Sequence, residues 1–184
     1  MKHKQFIIIM FVLTCIVNTI LYYRCYISPI KTMYNIGTNL VETVEICKDN
    51  TYTTFFEAKG NWLKKVDIFF STNNKKLNGN TVISIIDDEE CIYKTVINNE
   101  DIVDNEFYTI LCDDFKVQSG EKYKLEISSD NKTDGVLIWL DNESKLVSSL
   151  CFNTVYSLLN IIIINLFFFI FNFILCVELR FLVI

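Results

Sequence analysis

Trp62, with Asn61 before it and Lys64 two residues on, is the grouping in this chain best suited to one definite chemistry, the holding of a sugar. The apolar face of a pyranose packs against a flat ring, and its hydroxyls accept hydrogen bonds from amide and ammonium groups. Trp62 would supply the ring from a turn that follows Gly60-Asn61, while Asn61 and Lys64 would donate. These three form the candidate ligand-binding set. Tyr52 and Tyr108 are further candidates for exposed rings, whereas Trp139, inside an apolar run, is expected to face the core or the base of its domain.

Catalysis and cofactors find no comparable grouping. The one histidine is His3, far in sequence from the polar middle of the chain, so no Ser-His-acid or Cys-His set can form there. Gly37, Gly60, Gly79, Gly120 and Gly135 stand singly and make no phosphate-cradling loop. Asp87-Asp88-Glu89-Glu90 and Asp113-Asp114 could pair as glycosidase carboxylates, but neighbouring acids of this kind read first as solvated turn formers. Asp130, Asp134, Gly135 and Asp141 match four positions of an EF-hand-length loop, yet Lys132 puts a cation where an oxygen ligand is needed. A hairpin turn is expected instead. The cysteines contain no CxxC pair; Cys91 and Cys112 read as small buried thiols, and Cys25 and Cys151 could pair across the ends of the middle stretch. No catalytic residue, metal site or cofactor is assigned.

The candidate residues lie among short runs rich in Ile, Val, Phe, Tyr and Thr, at 53–58, 63–72, 81–86, 91–97, 107–112, 122–128 and 135–141, with 44–47 as an eighth. Turn formers divide the runs: Asn73-Asn74, Asn78-Gly79-Asn80, Asp87-Asp88, Asn98-Asn99, Ser119-Gly120 and Asp134-Gly135. Tyr123, Leu125 and Ile127 alternate with Lys124, Glu126 and Ser128, and Val66, Ile68 and Phe70 alternate with Lys65 and Asp67. Such a series predicts an all-β, antiparallel β-sandwich. Only residues 36–45 could form a short amphipathic helix, framed by Pro29 and Gly37 as a linker from the membrane.

Several of these residues carry a resemblance. Phe56, then Leu63 with Val66, Ile68 and Phe70, then Thr72 and the turn Asn78-Gly79-Asn80 are followed by Asp104-Asn105 and by the strand from Ser119 to Ile127. Over residues 52–130 the chain resembles the jelly-roll ectodomains of bacterial multi-spanning envelope proteins. Such domains are similar in shape to carbohydrate-binding modules and accompany glycosyltransferase-like or polysaccharide-export-like membrane proteins. The resemblance implies a domain outside the cytoplasm.

Two apolar segments bracket that domain, at 6–23 and 155–177, and each is long enough to cross a bilayer as a helix. No small-residue cleavage site follows the first, so it reads as an uncleaved anchor and not a signal peptide. Asn165 and Asn172 share one face of the second and could meet a partner membrane protein. The chain ends on an apolar Phe-Leu-Val-Ile, as a shortened protein would. The expected layout is a first transmembrane helix at 6–23, an extracytoplasmic β-sandwich at 24–154 and a second transmembrane helix at 155–177. Both termini are then cytoplasmic and the bilayer is the first partner. The lysines and arginines flanking the spans balance, so the orientation rests on the type of the middle domain.

That middle stretch holds 21 of the 22 acids and 14 of the 17 lysines and arginines, which argues against nucleic acid as a partner. The expected function is a non-catalytic, membrane-anchored binding or structural module for a glycan or an envelope partner. The alternative is an accessory or truncated part of a membrane glycosyltransferase-like protein of cell-envelope polysaccharide.

Overall fold

The computed structural model describes residues 2–24, 30–132, 134–154, 162–167 and 169–170. The chain divides into two compact units, Lys31–Thr154 and the two flanks Met1–Ile30 and Val155–Ile184. In the flanks, α1 runs Lys2–Tyr22 as a helix of 21 residues, about 31 Å long at the usual rise. Ile9, Val12, Leu13, Ile16 and Ile20 all stand exposed on it. Among the described residues, which leave out the side chains of Phe6, Ile7, Ile8 and Phe11, no helix is long and apolar enough to cross a membrane. Of the second expected span only 162–167 and 169–170 are described, as helix; Asn165 lies within them, while Asn172 lies outside the described residues.

The unit Lys31–Thr154 contains ten strands: β1 (Ile30–Asn35), β2 (Glu42–Ile46), β3 (Tyr52–Glu57), β4 (Trp62–Ser71), β5 (Asn80–Asp87), β6 (Glu90–Asn98), β7 (Glu106–Lys116), β8 (Lys122–Ser129), β9 (Val136–Leu140) and β10 (Ser148–Thr154). They form two sheets. One holds β3-β8-β5-β6; the other holds β1-β10-β4-β9-β2, with β7 on the free side of β4. The antiparallel pairs nest: β5 with β6, β4 with β7, β3 with β8 and β2 with β9. The outermost pair is β1 with β10. Ile36, just past the end of β1, donates its N–H to the carbonyl of Ser148 at the start of β10, so these two also run antiparallel. The domain is thus one long hairpin wound into a two-sheet sandwich, the winding of a jelly roll.

The alternation of side chains drives this packing. Along β8 the buried positions are Tyr123, Leu125, Ile127 and Ser129, every second residue, as a strand with one face on a core requires. From the opposite sheet Leu63, Val66, Ile68 and Phe70 of β4 reach inward and are essentially inaccessible. Phe152 of β10 crosses the gap to Phe56 of β3, ring centroids 6.2 Å apart, and Phe56 stacks on Tyr123 at 5.8 Å. That aromatic file ties β10 to the opposite sheet.

Eight of the ten strands fall where the sequence places them, with ends shifted by a few residues. β1 and β10 are additional. The helix expected at 36–45 is not formed; residues 42–46 are β2, paired from Glu42↔Leu140 to Ile46↔Val136. Val44 and Ile46 turn toward the core at a spacing of two, and sheet pairing overrides the weak helical pattern. Gly37 also serves a close approach there. A Cβ on it would lie 2.8 Å from the carbonyl oxygens of both Lys145 and Leu146.

Aspartates fasten the loops. Asp104 accepts from the Ser71 hydroxyl at 2.7 Å and from the Thr72 N–H at 2.6 Å. Asp130 accepts from the Asn80 N–H at 2.7 Å, and Asp141 from the N–H groups of Glu143 and Lys145. Each carboxyl is held below the ordinary aspartate range, Asp104 first by the Ser71 hydroxyl, Asp130 by the Asn80 backbone and Asp141 by the Lys145 backbone. Donors that favour the charged form are the cause.

Candidate functional site

The outer face of the larger sheet is where the chain's chemistry gathers. On β4 the inward set is Leu63, Val66, Ile68 and Phe70, so Lys65, Asp67 and Phe69 point outward. Cross-strand register aligns Cys151 of β10, Lys65 of β4 and Leu111 of β7 in one row, and Ser149, Asp67 and Thr109 in the next. Phe69 and Phe107 meet edge to face at 4.9 Å, with Trp139 of β9 against Phe69 at 6.5 Å. The Trp139 indole donates to Asn105 at 3.2 Å. Trp139 therefore lies on the outer face and not in the core.

Toward the end of the sheet where the domain begins and finishes lies a groove of about 630 Å³, lined by Lys31, Met33, Lys64, Lys65, Leu111, Asp113, Cys151 and Asn153. These come from β1, β10, β4 and β7, which adjoin one another in that order. Leu111 is 67 % exposed and Met33 57 %. Lys65 pairs with Asp67 at 2.6 Å, and Asp67 also accepts from the Thr109 hydroxyl at 2.6 Å. Asn153 is only 7 % exposed, and its Oδ1 has no hydrogen-bond partner among the described residues. Ser149 Oγ, four residues earlier on the same face of β10, is also buried and unpartnered there.

The three residues singled out in the sequence are brought partly to this place. Lys64 lines the groove because the β4 register slips between Leu63 and Lys65 against both neighbours. A bulge of this kind lets two consecutive side chains lean to one face. Trp62 is the first residue of β4 and not part of a turn; half-buried, it pairs directly with Asn153 and so shares its face. Asn61 contributes backbone, donating its N–H to the Asn153 carbonyl and accepting from the Val117 N–H. Asn153 itself had no signal in the sequence, since only strand register joins it to residues 61–65.

Other candidates do not converge. Asp130 and Asp141 hold the loops already described, Asp134 pairs with Lys75 at 2.8 Å, and the Gly135 N–H donates to Glu45. The calcium-like spacing is thus a set of separate turn fasteners. Among the described residues no group of three or more His, Cys, Asp or Glu side chains could hold a metal ion. Asp87 through Glu90 stand exposed at the β5–β6 turn, where Asp88 takes a φ of 50°. Cys112 is a buried thiol whose pKa burial pushes up to about 11, which keeps it protonated and unreactive at neutral pH. Cys91, expected buried, is exposed on β6. Cys151 carries a free thiol, and Cys25 lies outside the described residues. A second groove, lined by residues 75–78 with Asn131, Lys132 and Asp134, is bridged by Lys75 on Asp134 and by the Asn131 amide on the Asn78 carbonyl.

No family model matches the chain, and no curated protein matches it. Among solved structures, a GH26-CBM35 β-(1,4)-mannanase of Podospora anserina is similar at 10% identity and a TM-score of 0.38, over 69% of this chain and 28% of that one. The VP2 subviral particle of infectious bursal disease virus is similar at 13% identity and a TM-score of 0.33, over 67% and 32%. A family two carbohydrate esterase from Cellvibrio japonicus follows at 14% identity and 0.29, over 68% and 35%. This chain spans about a third of the length of each. At such identities and scores the likeness extends to neither ligand nor activity.

Proposed function

We propose that this chain is a non-catalytic binding module, anchored in the cell membrane by residues 6–23 and 155–177, that displays its β-sandwich outside the cytoplasm to hold a glycan. One observation carries the binding role. The larger sheet, fully packed on its inner face, presents outward a continuous surface in which exposed Met33, Leu111 and Phe107 alternate with charged and amide groups. Ligand sites combine these two features, apolar area for contact and a few polar groups for orientation. The anchor is supported by the apolar composition of both flanks and by the exposed aliphatic residues of α1. The pairing of β1 with β10 supports it too, because both chain ends leave through adjacent strands.

Two measurements test this reading. The full chain in phosphatidylcholine nanodiscs, applied to an array of neutral and acidic oligosaccharides, should retain at least one of them; retention of none would defeat the glycan role. For the orientation, exposed Cys91 gives a handle. A membrane-impermeant maleimide added to intact cells should label the parent and lose most of that labelling in Cys91→Ser. Loss-sensitive labelling that occurs only after permeabilisation would place the domain on the cytoplasmic side.

A further inference from the structure

We infer that the groove across β1, β10, β4 and β7 is a subsite for a neutral oligosaccharide, an assignment that rests on the binding-module reading above. Its floor holds Asn153, nine-tenths buried, with an Oδ1 that meets no donor among the described residues. The large majority of buried side-chain polar atoms in folded proteins have a partner. An O–H supplied by a ligand would complete this one, and Ser149 Oγ continues the same unfilled row along β10. Lys31, Lys64 and Lys65 line the groove beside that floor on flexible four-carbon stems.

The lining decides the kind of ligand. Lys31 is a donor and Lys65 is already committed to Asp67, whereas Asp113 and Asn153 Oδ1 are acceptors. Sugar hydroxyls donate and accept, so they can satisfy both kinds at once. A phosphate or carboxylate would accept only, and would meet the Asp113 carboxylate and the Asn153 oxygen with like charge or dipole. Met33 and Leu111 add exposed aliphatic surface for the C–H face of a ring. At about 630 Å³ the groove exceeds one sugar ring, and it falls within the roughly 300–1,000 Å³ of small-molecule sites.

The test uses the full chain in nanodiscs and titrates cellotetraose, mannotetraose, maltotetraose and chitotetraose, with inorganic phosphate and tetragalacturonate as anionic probes. At least one neutral tetrasaccharide should bind. Asn153→Leu should weaken that binding at least tenfold without lowering the Tm, because it removes an unpaired buried acceptor and keeps the volume. A merely structural asparagine would move stability instead. Leu111→Asp, at an exposed position that tolerates polarity, should weaken binding at least fivefold. If the parent binds and both variants bind equally well, the groove is the wrong place while the module reading stands. Binding of the anionic probes alone would overturn the neutral ligand, and binding of no probe would remove the glycan reading together with its subsite.

Discussion

Gly135→Ala is expected to unfold the domain or to cost more than about 4 kcal/mol, the range reached only by severe core and backbone lesions. The reason is a backbone collision. A Cβ at this position would sit 1.8 Å from the Ile46 carbonyl oxygen and 2.6 Å from its carbonyl carbon. Neither atom is the yielding tip of a side chain, so the two strands must part where Ile46 pairs with Val136. The Gly135 N–H would also lose its bond to Glu45. Gly120→Ala is the informative control. Nothing lies within 4 Å of its Cβ position, but φ is +90°, so only conformational strain of about 1–3 kcal/mol applies. Urea unfolding followed by tryptophan fluorescence separates the two. A Gly135→Ala protein as stable as the Gly120→Ala protein would show that β2 and β9 can separate without loss of the sandwich.

The second large effect is expected from Phe152→Ala, about 3–5 kcal/mol as for other buried aromatics truncated to alanine. Phe152 is wholly inaccessible, and its ring faces Phe56, which in turn faces Tyr123. Removing it opens a void between the sheets and unties β10 from β3 and β8. The same urea experiment reads the outcome in the shift of the midpoint. A loss below about 1 kcal/mol, typical of surface substitutions, would mean that β10 lies outside the cooperative core.

The strands most legible in the sequence are those whose inward residues are large and aliphatic. Tyr123, Leu125 and Ile127 mark β8, and Val66, Ile68 and Phe70 mark β4, because a half-buried strand cannot hide a spacing of two. β1 and β10 escape for the opposite reason. Lys31, Thr32 and Asn35 on one, and Ser148, Ser149 and Asn153 on the other, dilute the apolar signal. Both also abut the long apolar flanks. Residues 36–45 misled because Ile36, Leu40 and Val44 recur at intervals of four, a helical spacing. The site was legible only at Lys64, and even there for a local reason, since the bulge that turns it into the groove has no mark of its own. Asn153 and Leu111 depend on register between strands distant in sequence, which composition and spacing do not encode.

The nested pairing has a consequence for how such a protein can be assembled over evolutionary time. A ribbon folded back on itself must begin and end side by side, and β1 and β10 are hydrogen-bonded neighbours, roughly 4.8 Å apart as adjacent strands are. The two ends of the sandwich therefore lie as close together as the two ends of a tight turn. A unit of this kind can be spliced into, or lost from, a short connection between two helices without forcing those helices apart.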